Sequence, residues 1–154
     1  MKGNGSEELP KTLKPDGESN IFMYVVGNGA PGAISFPDDN FLFADQLMDT
    51  IKEMTFKSMV IYLDSPESEA MFSQFSEELA SLNVMALTSS ASNETQWGTH
   101  CPPDETKKNR HVKTCLSDLF SSVWMYDIAN SDLTSDSVGQ HFERVKKNAS
   151  KTTI

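Results

Sequence analysis

His100, Cys101, His111 and Cys115 have the side-chain types of a zinc site. No C-x-x-C or H-x-x-x-H pair is present, however, and their spacing fits no common structural zinc motif, so no metal site is read from them. Ser65 and Ser68 offer hydroxyl nucleophiles. A serine attacks only when a His, Lys or amine takes its proton, and none stands beside either residue, so both read as polar loop residues. Asn28, between Gly27 and Gly29, reads as a turn residue that tolerates left-handed backbone. His141, next to Phe142 in a helical stretch, reads as an ordinary surface histidine. No cofactor is expected.

The elements that must position these groups follow from the hydrophobic pattern. Residues 21–26 are an apolar run rich in β-branched and aromatic side chains, which predicts a strand buried on both faces. Residues 27–32 must then be a tight loop at its carboxyl end. Phe43, Leu47, Met48, Ile51 and Met54 recur at helical spacing and predict an amphipathic helix over 43–56. Residues 59–63 predict a second buried strand, 70–82 a second helix and 83–87 a third strand. Strand, helix, strand in that order implies a right-handed crossover and a parallel sheet, so the fold class is α/β, a mainly parallel sheet flanked by helices. Residues 88–113 are long, polar and without periodicity, and connections of this kind are usually functional or disordered. Leu116, Leu119, Phe120, Val123 and Trp124 share one face of 115–128. Val138, Phe142 and Val145 define a last helix, with Thr134 as its N-cap. Ligands of open α/β sheets bind outside the carboxyl ends of the strands, which points to the loops 27–32 and 64–69.

A chain of 154 residues with 38% apolar residues, nine Phe and two Trp can fill one core. Its net charge of −9 leaves no electrostatic footprint for a phosphate backbone, which excludes nucleic acid as a partner. Lys146, Lys147 and Lys151 suit the carboxyl end of the last helix and its tail. No run approaches the roughly 18 apolar residues of a membrane span, and residues 1–17 lack the apolar centre of a secretory signal. Residues 1–20, rich in Gly, Pro, Ser, Lys and Glu, read as a flexible arm, 21–148 as the domain and 149–154 as a tail. Asn4, Asn93 and Asn148 head N-x-S/T sequons, which matter only in a chain that enters the secretory route.

Four separated blocks, "IFMYVVGNGAPG", "MVIYLDSPESEAMF", "LNVMALTSSASNETQWGTHCPP" and "KTCLSDLFSSVWMYDIANSDLTSDSVGQHFERVK", occur in the order found in the legumain family. The chain resembles these asparaginyl endopeptidases, or vacuolar processing enzymes, from about Leu13 to Asn148, and plant members most. The resemblance implies a caspase-like fold and a cysteine-type endopeptidase cutting after asparagine in vacuole or lysosome. Relative to the family the domain reads as partial, truncated at its N-terminus. The family's catalytic His, in an Asp-His-Gly turn, matches Asn28 in Gly27-Asn28-Gly29. Its catalytic Cys, in Glu-Ala-Cys-Glu-Ser, matches Pro66 in Asp64-Ser65-Pro66-Glu67-Ser68. Asparagine cannot accept and return a proton near neutral pH. Proline brings neither a nucleophilic atom nor the N–H that would help hold an oxyanion. Gly29 retains an N–H for that purpose. The family's substrate pocket implies Asp64 and Asp118 as acidic lining, with its Arg upstream of the matching region. Asp118 reads equally well as a helix-start acid favoured by the dipole.

The resemblance also implies a disulfide between Cys101 and Cys115. Such a bridge would close a long polar loop and contribute about 3 kcal/mol by the chain-entropy estimate. In a cytosolic chain the two would be free thiols. The function expected is that of a legumain-like protein that has lost proteolysis, a pseudoenzyme or degenerate copy. One alternative is a working cysteine-type endopeptidase of vacuolar protein processing, for which Cys101 and Cys115 lie in the wrong loop. The other is a binding or decoy module for an active legumain. Partners are accordingly peptide substrates or an active legumain. Self-association through an exposed edge of the strand 21–26 is a further expectation.

Overall fold

In the computed structural model, which describes residues 13–103, 106–107 and 110–154, the chain opens with β1 (Asn20–Val26) and a meander of β2 (Asn28–Ala30), β3 (Ala33–Phe36) and β4 (Asn40–Phe43). Helix α1 (Ala44–Lys52), β5 (Ser58–Asp64), α2 (Ser76–Ser81) and β6 (Val84–Thr88) follow. Short strands β7 (Gly98–Thr99), β8 (Thr106–Lys107), β9 (Arg110–His111) and β10 (Ser117–Asp118) lead to helices α3 (Leu119–Asn130) and α4 (Val138–Asn148). The arm predicted over 1–20 lies largely outside the described residues. Within its described part, Asp16 accepts hydrogen bonds at its carboxylate from the N–H of Glu18 and the hydroxyl of Ser19.

β1, β5 and β6 form a parallel sheet in that order. The period of two along β5 divides the core. Met59, Ile61 and Leu63 join Leu47, Met48 and Ile51 of α1 and Leu79 of α2. Tyr62, on the opposite face, packs with Leu87, with Phe120 and Trp124 of α3 and with Val145 of α4. Helices thus flank a parallel sheet on both faces, the α/β arrangement expected of the sequence.

Several local expectations are corrected. β1 was predicted to be buried on both faces, yet none of its residues is fully buried, and Phe22 is 56% exposed. The cause is positional: β1 pairs with β5 on one side only, and no described strand pairs with its other edge. Residues 27–32 are not a simple loop, because residues 28–30 turn back as β2 against β3. The helix predicted over 70–82 is α-helical only from Ser76, since 3₁₀ turns at Ser68–Met71 and Ser73–Phe75 carry Met71 and Phe72 into the core. The N-cap of α4 is Ser137 rather than Thr134. The Ser137 hydroxyl accepts the Gln140 N–H at 3.2 Å and the Gln140 side chain accepts the Ser137 N–H at 2.9 Å. Thr134 instead donates to the Asp132 carboxylate.

His141 is a buried residue, not a surface one. Its ring stacks on Tyr62 at 5.9 Å, and its Nδ1 lies 2.6 Å from Asp127 of α3. Arg144 closes the cluster with donors 2.7 and 2.9 Å from the two Asp127 oxygens and a further ion pair to Asp136. The face of α4 that carries Val145 into the core carries His141 with it, because the two are four residues apart on one helix. The tail is docked as well. Ala149 is buried, the Thr152 hydroxyl donates to the Ser89 carbonyl at 2.5 Å, and the Thr153 N–H donates to Glu94. No helix among the described residues is long and apolar enough to cross a membrane.

Candidate functional site

The parallel register brings the ends of β1 and β5 level, with Val26 opposite Asp64 and the Gly27 N–H donating to the Asp64 carbonyl at 3.1 Å. The two segments singled out in the sequence therefore begin side by side. Asn28 is exposed at the start of β2, paired with Ser35 of β3. Its φ is not positive, so it is a strand residue and not the left-handed turn residue that its glycine neighbours suggest. Gly29 lies against the second segment. A Cβ there would stand 2.4 Å from the Pro66 carbonyl oxygen and 2.8 Å from Ser65 Oγ, an approach only glycine allows. Asn28-Gly29 and Ser65-Pro66 are thereby in direct apposition.

Asp64 is fully buried. Its carboxylate accepts hydrogen bonds from Gln96 Nε2 and from the Ser121 hydroxyl. With its proton committed to Asp64, Ser121 Oγ accepts from the Tyr24 hydroxyl at 2.6 Å. Burial pushes the Tyr24 phenol up, and the Asp64 and Asp118 charges add to it against the Ser121 hydrogen bond. Asp118, at the N-cap position of α3, makes no capping hydrogen bond with its side chain. Burial pushes its carboxyl up and Asp64 adds to that, so the fold brings the two predicted acidic residues within electrostatic reach of each other. Tyr24, Gln96 and Ser121 were missed by sequence reasoning. Ser121 follows Asp118 by three residues and so shares its helix face, a visible signal, whereas nothing in the sequence marks Gln96.

Behind Pro66 the chain is pinned by serines. The Ser65 N–H donates to Ser89 Oγ, and the Ser65 carbonyl accepts from Ser89 and Ser90 at 3.2 and 2.9 Å. Ser68 Oγ lies 3.1 Å from Ser90 Oγ. Ser65 Oγ is buried with no hydrogen-bond partner among the described residues. Glu67 adopts φ 55, donates its N–H to the Glu94 carbonyl, and so ties this turn to residues 89–96. That segment was expected to lack structure. Its order comes from side-chain to backbone hydrogen bonds, which hydrophobic periodicity does not register.

Cys101 and Cys115 are joined in a disulfide that closes a loop with a sequence separation of 14. β7 and β10, at its base, pair as Thr99 with Ser117 and Gly98 with Asp118. The two sulfurs are bonded to each other and are not available beside His100 and His111. Among the described residues no three His, Cys, Asp or Glu side chains are grouped to hold a metal ion. At the opposite, amino ends of β1 and β5 a cavity of about 450 Å³ is lined by Phe22, Val60, Tyr62, Val138 and His141. At the carboxyl ends, the described side chains offer carboxylates, hydroxyls and an amide, with no imidazole or thiol hydrogen-bonded to a nucleophile.

These elements stand in an order that comparison with known proteins makes specific. A sequence model of the peptidase C13 family matches residues 1–153. The chain belongs to the peptidase C13 family. Its C13 relatives include a vacuolar-processing enzyme of Citrus sinensis, 33% identical over 88% of this chain and 28% of that protein. The vacuolar-processing enzyme delta-isozyme of Arabidopsis thaliana is 32% identical over 94% of this chain and 30% of its own length. A hemoglobinase of Schistosoma mansoni is 35% identical over 89% of this chain and 31% of its own length. The chain thus spans less than a third of the length of these C13 relatives. The C13 match also extends beyond the segment from Leu13 to Asn148, into the docked tail.

Proposed function

We propose that this chain is a C13 protein that has lost proteolysis. One observation carries the reading: Asn28 and Pro66, which match the family's catalytic His and Cys positions in the quoted blocks, stand at the apposed carboxyl ends of β1 and β5. An asparagine amide there supplies no general base, and a proline supplies no nucleophile and no N–H for an oxyanion. The neighbouring hydroxyls do not replace them. Ser68 is paired with Ser90, and Ser65 is buried beneath Gly29 with no base in contact among the described residues. Asp64 and Asp118 keep the acidic character of the family's substrate pocket, but the Asp64 carboxylate is already occupied by Gln96 and Ser121. The relatives' printed names include vacuolar-processing enzymes, and the reading places this chain in the same compartment.

The test is an assay of the recombinant protein on an asparagine-containing fluorogenic peptide. No turnover is expected, and turnover abolished by a thiol alkylator would overturn the reading. A second reading, a binding module for a peptide segment or for an active legumain, is favoured by the edge of β1 that no described strand pairs and by the half-covered apolar side chains of β1. An active legumain whose rate and mobility are unchanged on mixing with this chain would count against it.

A further inference from the structure

The three sequons are left over once the candidate site is accounted for, and the fold treats them unequally. Asn4 lies outside the described residues. Asn148 is the last residue of α4, and the next residue, Ala149, is buried and donates its N–H to the Val145 carbonyl at 2.8 Å. Asn93 is exposed in a turn. The turn is held from beneath: the Glu94 N–H donates to the Ala91 carbonyl, and the Glu94 carboxylate accepts from the N–H groups of Ala91 and Thr153. The Glu69 carboxylate accepts from both the N–H and the hydroxyl of Ser92 at 2.9 Å. Every clamp therefore acts on Ala91, Ser92 or Glu94. The Asn93 amide makes no hydrogen bond to a described residue, and Thr95, which completes the sequon, is exposed.

From this geometry we infer that Asn93 is an acceptor site for an N-linked glycan. The donor class is a polyprenyl-diphosphate-linked oligosaccharide. A bond forms between Asn93 Nδ2 and C1 of the first sugar, and the C1–O bond to the diphosphate breaks. The polyprenyl diphosphate leaves with the electron pair, and the amide proton passes to a base of the transferase. A bulky, solvated chain at Asn93 meets no packed surface; Asn148 and Ser150 are exposed as well, but they stand at the end of α4 with the buried Ala149 between them. The Glu67 N–H donates to the Glu94 carbonyl at 2.9 Å, so the glycan would stand beside the Pro66-Glu67 turn and screen that rim of the candidate site. The inference rests on the vacuolar placement proposed above, because only a chain in the secretory route meets the donor.

The test separates the two. The chain, Asn93→Gln, Asn148→Gln and Thr95→Ala are each expressed behind a cleavable secretion signal in a eukaryotic host. Secreted and cell-retained pools are both treated with a glycoamidase and mapped by peptide mass spectrometry, so that poor folding of one variant does not hide the result. The expected outcome is that the peptide containing Asn93 carries sugar in the unaltered chain and in Asn148→Gln and loses it in Asn93→Gln and Thr95→Ala, whatever the state of Asn4. An unmodified Asn93 in both pools, or sugar found on Asn148 instead, overturns the inference. Failure of the placement is read separately, by imaging the chain expressed from its own reading frame without an added signal.

Discussion

Replacing Asp127 by Asn is the most informative perturbation of the fold, because one carboxylate joins α3 to two residues of α4. Asp127 is 8% exposed and accepts from Arg144 Nε at 2.7 Å, from Arg144 Nη2 at 2.9 Å and from His141 Nδ1 at 2.6 Å. The Arg144 guanidinium, with His141 adding to it, holds the Asp127 carboxyl at about 2 against an ordinary 3.8, despite the opposing effect of burial. That difference corresponds to about 2 kcal/mol of folding stability. The folded pKa lies below the unfolded one, so the contribution is complete above about pH 4 and is lost as pH falls towards 2. Asn keeps the volume and removes the charge, and Arg144 retains Asp136 as a partner. Asp127→Asn is therefore expected to lower stability by about 2 kcal/mol at neutral pH, with the gap to the wild type closing between about pH 4 and 2. Urea unfolding followed by circular dichroism across that range measures both. A gap under about 0.5 kcal/mol at neutral pH, as an exposed ion pair would give, or a gap that does not change with pH, refutes the reasoning.

Two further outcomes follow from the candidate site. Gly29→Ala places a methyl group 2.4 Å from the Pro66 carbonyl oxygen, and backbone cannot rotate away as a side chain can. A loss of about 1–3 kcal/mol in urea unfolding is expected, and unchanged stability would contradict the close approach of the two segments. Cys101→Ser with Cys115→Ser opens the loop of sequence separation 14 and is expected to lower stability by about 3 kcal/mol. Non-reducing peptide mapping must recover the 101–115 pair in the wild type, and an equal loss on adding reductant to the wild type is the matching control.

The pattern of residues 21–26, 59–63 and 83–87 was enough to read three parallel strands, because apolar β-branched runs between turn residues have few other stable uses. The quoted blocks carried the family, and the residues at 28 and 66 are visible without any structure. Long-range side-chain placement was not legible. His141 looked like a surface residue because its partner Asp127 lies on another helix, and burial of a histidine depends on which face that helix presents. Residues 88–113 looked structureless because Ser89, Ser90, Glu94 and Gln96 act through hydrogen bonds to residues 65–69, Asp64 and the tail. Apolar periodicity reports what leaves water, so it determined the layers of this protein. Which polar groups satisfy one another across 23 to 63 residues of sequence was decided only when the layers closed, because a buried hydrogen bond needs both partners fixed in space.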